Sequence, residues 1–205
     1  MNLSGIKNIV FDLGGVIITL ERAEAVRRFE EAGLETAEKL LDPYHQKGIF
    51  LDLEEGKLSR EEFYEAVRKE AGTYISDEAI DYGWLGFLKD IPEYKLKMLE
   101  GLKDKGYSLY LLSNTNPIIM SWALSSAFSR KGKGIDQYFD KLYLSYQIGY
   151  TKPDPRIFDF MLKDSGMVPS ETLFIDDGKA NVEAGNAFGM KTFQAINGED
   201  FGHIF

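Results

Sequence analysis

Three short apolar runs punctuate the chain, and each ends in polar residues. Residues 9–11 run into Asp12, residues 107–112 into Ser113, and residues 172–175 into Asp176 and Asp177. Runs this short and this uniformly apolar predict strands buried on both faces. Residues 141–145 and 191–195 supply two further strand candidates. Between them, apolar positions recur at helical spacing, in Tyr94, Met98 and Leu102 and again in Ile157, Phe158, Met161 and Leu162. Strand, helix, strand, helix, strand is the alternation of an α/β fold, a parallel sheet with both faces covered.

Residues 17–90 break that rhythm. They are rich in charged amphipathic helix and poor in strand, with Val26 and Phe29 on one stripe and Phe63, Ala66 and Val67 on another. Ser59 and Glu62 have capping-box spacing, and Ser76 is placed to cap a following helix. The pattern therefore predicts an inserted helical cap over 17–90 and a core made of 1–16 and 91–205. Charge divides the same way: 10 basic and 18 acidic residues in the insert, against 14 and 15 in the core. An excess of one sign on amphipathic helices is a solvated face. Trp84 and Phe87, close to the insert's return to the core, are expected to pack. Residues 129–134, Ser-Arg-Lys-Gly-Lys-Gly, are expected to form a flexible connection.

Composition narrows the chemistry. Among 205 residues there is no cysteine, so disulfides, zinc–thiolate sites, iron–sulfur clusters and thiol nucleophiles are excluded. A net charge of -9 argues against a nucleic-acid partner. No apolar run approaches the roughly 18 residues of a membrane helix, so no membrane partner is expected and a cytoplasmic location is.

If the sheet is parallel, Asp12, Ser113 and the Asp176-Asp177 pair meet at the edge formed by the strands' carboxyl ends, where open α/β sheets bind ligands. Each has a local explanation alone: a turn bond for Asp12 or Ser113, a helix cap for Asp177. Together they place several carboxylates at the ends of buried strands, which is costly without a compensating cation or Lys152. Carboxylates, a hydroxyl and a lysine suit magnesium and a phosphoryl group, because magnesium takes hard oxygen ligands and keeps several waters. Lys152 precedes Pro153, which favours extended backbone, and Asp154 can cap a helix opening at Pro155. Gly14 and Gly15 permit positive φ, and their amides could cradle an anion beside Asp12.

These segments, in this order, resemble the haloacid dehalogenase superfamily of hydrolases over essentially the whole chain. Phe11-Asp12-Leu13-Gly14-Gly15-Val16 resembles its first motif, Leu112-Ser113-Asn114-Thr115-Asn116 its second, Thr151-Lys152-Pro153-Asp154 its third and Phe174-Ile175-Asp176-Asp177 its fourth. The resemblance implies a Rossmann-like, doubly wound core with a helical cap, and a magnesium-dependent phosphatase acting on a small phosphorylated metabolite such as a sugar phosphate. Asp12 would be the nucleophile that becomes an aspartyl-phosphate. Asp12, the Gly14 carbonyl and Asp177 would bind the metal, with Asp176 outside them; Ser113, Asn114, Gly14, Gly15 and Lys152 would bind phosphate.

One position departs from that family's phosphatases, which carry a second aspartate two residues after the nucleophile as general acid and base. Here it is Gly14. Three outcomes follow. The cap supplies a substitute, for which His45 is the candidate and His203 a weaker one. Alternatively the leaving group needs little protonation, as with a sugar 1-phosphate, and Phe-Asp-Leu-Gly in the first motif resembles a glucose-1-phosphatase-like bacterial branch. Or the chain is a catalytically impaired protein that only binds a phosphorylated ligand or a partner.

Overall fold

The computed structural model describes residues 1–42 and 46–205. In chain order the elements are β1 (Asn8–Phe11), β2 (Thr19–Leu20), α1 (Arg22–Glu31), α2 (Ala37–Leu40), α3 (Ile49–Glu54), α4 (Arg60–Ala71), α5 (Asp77–Leu85), β3 (Leu88–Asp90), α6 (Glu93–Asp104) and β4 (Ser108–Ser113). They continue with α7 (Pro117–Ala123), β5 (Lys141–Leu144), α8 (Ser145–Ile148), α9 (Pro155–Ser165), β6 (Thr172–Asp176), α10 (Lys179–Ala187) and β7 (Lys191–Gln194).

Five strands form one parallel sheet in the order β5-β4-β1-β6-β7. β1 lies at its centre, with β4 on one side and β6 on the other, so the chain reverses its winding beside β1. Successive β1 residues feed opposite layers: Ile9 and Phe11 join one buried cluster and Val10 the other. This two-sided burial explains why the strands read as unbroken apolar runs.

All five expected core strands are present. A short antiparallel ribbon, β2 with β3, was not legible because its strands are two and three residues long. It joins the two ends of the helical insert. α1 to α5 lie between these ribbon strands, and their buried side chains belong to the same apolar cluster as Phe11. The Ser59–Glu62 capping box opens α4, and the Ser76 hydroxyl accepts from the Ala79 amide at α5.

In α6 the helical stripe is displaced from its expected register. Leu96, Leu99 and Leu102 face the core together with Lys95, whereas Tyr94 is 41% exposed. Lys95 donates to the Val16 carbonyl, so a buried ammonium holds the segment that follows Asp12. The Ser129–Gly134 loop does not reach the carboxyl edge; Lys131 and Lys133 both pair with Glu100 of α6. Among the described residues no helix is long and apolar enough to cross a membrane.

Candidate active site

Asp12, Ser113 and Asp176 leave three adjacent strands at one edge, as the alternation predicts. Lys152 joins them from the loop before α9. It is 1% exposed, and its ammonium lies 2.8 Å from Asp12 Oδ1 and 2.6 Å from Asp176 Oδ2, and donates to the Leu112 carbonyl at 2.8 Å. An ammonium has three N–H donors, and these contacts engage all of them. A phosphoryl oxygen therefore gains a bond from Lys152 only by displacing one; otherwise it feels the charge alone.

Lys152 is itself held by Asn114, whose side-chain oxygen accepts from the Lys152 amide at 2.7 Å while its NH₂ donates to the Lys152 carbonyl at 2.9 Å. Asn114 therefore clamps the lysine's backbone as well as lining the cavity. Ser113 Oγ makes only a long 3.3 Å bond to the Asn114 carbonyl, readily exchanged for a better acceptor. Asp154 caps α9 by accepting from the Arg156 amide, with Pro155 as the first helical residue.

Asp176 is fully engaged. Its Oδ1 accepts from the Gly178 amide at 2.8 Å and from Asn181 at 2.9 Å, opposite the Lys152 contact. The turn before α10 is thus tied by Asp176, and the helix has no side-chain cap from Asp177. Asp177 is left facing Asp12. One carboxylate oxygen from each of Asp12, Asp176 and Asp177 lies within 4.8 Å of the others. Burial first, and then the Asp176 and Asp177 charges, push the Asp12 carboxyl up to about 7 against the opposing pull of Lys152. Burial and Asp176 likewise push Asp177 up to about 6. Burial works against the Lys152 ammonium, but Asp12 and Asp176 more than offset it and hold its pKa above the usual value. Three carboxylates crowd one lysine, which pairs with Asp12 and Asp176, and the residual negative charge suits a hard divalent cation.

The two glycines divide differently from expectation. Only Gly15 has positive φ, at 74°, and its amide donates to the Ile18 carbonyl at 2.8 Å. Gly15 is therefore a tight-turn residue and leaves the phosphate cradle. It must also be small, because a Cβ there would lie 2.1 Å from Asp177 Oδ2. The amides of Leu13, Gly14 and Asn114 donate to none of the described residues, and all three residues line the cavity. Free amides around a carboxylate make an anion cradle. Leu13 was missed because the amide it offers is common to every residue type except proline.

The cap roofs this edge with Gln46, Glu54, Trp84 and Phe87. Trp84 and Phe87 pack as expected, their ring centroids 5.7 Å apart, but they also form cavity wall. The Trp84 Nε1 and Asn116 Nδ2 donors are buried without a partner among the described residues. Glu54 is a second residue, after Leu13, that sequence reasoning missed. It is a 6% exposed carboxyl in the cavity wall. Phe50, Leu53 and Glu54 share the buried face of α3, so an acid on an apolar stripe was the available signal. His45, the expected cap acid, lies outside the described residues. His203 is exposed, beside Phe193, and is not part of the cavity wall.

This arrangement, a carboxylate at the central strand's end with a lysine behind it and two further aspartates beside it, defines a family. The chain belongs to the haloacid dehalogenase-like hydrolases, which match residues 6–189. Among its relatives is a D-ribitol-5-phosphate phosphatase of Bacteroides thetaiotaomicron, 53% identical over 196 residues, or 96% of this chain and 95% of that protein. A HAD family enzyme from Bacteroides thetaiotaomicron, solved with magnesium and inorganic phosphate, superposes with a TM-score of 0.90 at 40% identity, covering 98% of this chain and 99% of that one. A predicted HAD-like family hydrolase from Porphyromonas gingivalis gives 0.91 at 45% identity, covering 96% and 94%.

Proposed function

We propose that this chain is a magnesium-dependent phosphatase that moves the phosphoryl group of a small phosphorylated polyol or sugar first to Asp12 and then to water. The observation that carries this reading is the position of Asp12. It stands at the end of the central strand, with Oδ1 held by Lys152 and Asp177 within ligand reach. Its other oxygen is available for attack on phosphorus. Magnesium, when bound, neutralises the repulsion between that carboxylate and the phosphoryl oxygens. Asp12, Asp177 and the Gly14 carbonyl would hold the ion directly and Asp176 through water.

The chain's own groups do the rest. The Leu13, Gly14 and Asn114 amides and the Ser113 hydroxyl bind phosphoryl oxygens, and Lys152 fixes the attacking carboxylate. Fixed donors aimed at developing charge need no reorganisation during the reaction. One relative of this chain is a phosphatase of a polyol phosphate, D-ribitol 5-phosphate.

The test is phosphate release from polyol, sugar and nucleoside phosphates with and without magnesium. Ribitol 5-phosphate is expected among the best substrates. Asp12→Asn is expected to lower turnover by about 10⁴-fold or more, the scale of losing a nucleophile. Phosphate binding without turnover in the wild-type chain would instead favour a binding protein.

A further inference from the structure

We propose that Glu54 is the general acid and base of this reaction, supplying from the cap the proton transfer that Gly14 cannot. This inference rests on the phosphatase reading above and extends it to the leaving group. A polyol phosphate leaves as an ordinary alkoxide, which needs a proton as the bond to phosphorus breaks. The loop after Asp12 carries no side chain for that purpose. A Cβ on Gly14 would meet Leu20 Cδ1 at 2.8 Å, so the space beside it is already occupied by an apolar group.

Among the described residues that the insert and its linkers contribute to the cavity wall, Glu54 alone titrates. Gln46 is neutral, and both ends of its amide are engaged by the Asp42 backbone. Glu54 accepts no hydrogen bond from any described residue, although neighbouring Glu55 pairs with Lys57. A buried carboxylate without a partner is costly and has no structural use. Burial first, then the Asp12 charge, push Glu54 up to about 8; Glu55 adds to this and Lys152 opposes it. Glu54 is also the last residue of α3, where the helix's carbonyl end disfavours negative charge.

Two features hold the carboxyl over the core. Phe50, one turn earlier, lies 5.2 Å from each of Phe29, Phe63 and Trp84 between ring centroids. Gly56, two residues later, sits with φ 66° against the Tyr146 backbone, where a Cβ would come within 2.1 Å of the carbonyl oxygen. The α3 turn is therefore docked directly on a core element.

The proton balance closes over two steps. As Asp12 bonds to phosphorus and the phosphorus–oxygen bond to the leaving group breaks, Glu54 gives its proton to that oxygen, releasing the alcohol. Water then attacks the aspartyl-phosphate, the bond to Asp12 breaks and Glu54 takes the water proton. Inorganic phosphate leaves, with Asp12 and Glu54 restored.

The experiment compares ribitol 5-phosphate with p-nitrophenyl phosphate, whose leaving group needs no proton, in wild type, Glu54→Gln and Glu54→Asp. Glu54→Gln is expected to lower kcat on ribitol 5-phosphate by about 10²- to 10⁴-fold, the usual worth of general acid–base catalysis. On p-nitrophenyl phosphate it should release about one equivalent of nitrophenolate per chain in a fast burst, then turn over slowly, because phosphoenzyme forms but waits for a base. The basic limb of the wild-type pH profile should disappear, and Glu54→Asp should recover part of the rate. Retained binding of inorganic phosphate with magnesium shows that the variant is folded.

Equal losses on both substrates without a burst, or no loss on either, would overturn the proposal. So would the burst appearing in His45→Asn instead. A wild-type chain that turns over neither substrate overturns the phosphatase reading too. An enzyme silenced by Asp12→Asn but untouched by Glu54→Gln overturns this inference alone.

Discussion

The carboxyl edge of the sheet and the underside of the cap face one cavity, but they are built by different means. At the edge, position follows from backbone topology. Asp12, Ser113 and Asp176 each end a strand, and parallel pairing with β1 in the middle puts them together. The cap carries Glu54 on a six-residue helix whose orientation depends on interlocked aromatic rings and one glycine contact with the core. An edge of this kind is preorganised before any ligand arrives. A cap of this kind can change its chemistry by repacking, without disturbing the sheet.

The comparison is broken most severely at Lys152, because one ammonium compensates two carboxylates. Lys152→Met keeps the side-chain bulk but leaves Asp176, which is fully buried, without its cation. Removing one member of a buried ion pair typically costs about 3–5 kcal/mol. Thermal unfolding should show a fall of roughly 10 °C or more for a chain of this size, together with loss of turnover. A shift of only a degree or two would mean that Asp176 is compensated by other means.

Two glycine substitutions separate the regions. Gly15→Ala forces a side chain into the left-handed region, at a cost of about 1–2 kcal/mol, and drives its Cβ into Asp177. Magnesium affinity should fall about 10- to 100-fold, the scale seen when groups supporting a ligand are disturbed. Gly56→Ala should push the α3 turn off Tyr146 instead. It is expected to lower kcat on ribitol 5-phosphate while magnesium affinity, read by calorimetry, stays within about twofold. Loss of magnesium affinity in Gly56→Ala would show that the cap and edge are not separable.

A pH series sharpens the account of the edge. With Asp12 pushed up to about 7, Asp177 to about 6 and Glu54 of the cap to about 8, the folded chain binds protons that the unfolded chain, with carboxylates near 4, has already lost. The metal-free protein should therefore lose stability as pH rises from about 4 to 8. Magnesium competes with those protons, so its stabilisation should be small at pH 5 and larger at pH 8. At 100 times its Kd it would contribute about 2.7 kcal/mol. Equal gains at both pH values would place the ion away from Asp12 and Asp177.

The same contrast explains what could be read from the residues. Asp12, Ser113, Asp176 and Asp177 follow short apolar runs and Lys152 precedes a proline, so all five were legible from order alone. Engagement was not. That the Gly15 amide turns to Ile18, that Asn114 clamps Lys152, or that Asp176 rather than Asp177 ties the last turn depends on backbone angles that composition leaves open. Glu54 was hidden for a different reason. Glu54-Glu55-Gly56 reads as a solvated acidic turn, and only the packing of Phe50 and Leu53 rotates one of the two acids inward.

The smallest effect tests whether the two regions fold as one body. Ser59 caps α4 through a reciprocal capping box with Glu62, on the exposed side of the cap. Ser59→Ala should cost about 1 kcal/mol, roughly 2–4 °C at this chain length, with kcat on ribitol 5-phosphate unchanged. Because one apolar cluster runs from Phe11 into Phe29, Phe50 and Phe63, that loss should shift a single cooperative transition seen alike by Trp84 fluorescence, read in a Trp122→Phe background, and by backbone circular dichroism. If the Trp84 transition fell at a lower temperature than the main circular dichroism transition, the cap would be an independently melting unit. Glu54 would then be held over Asp12 only part of the time.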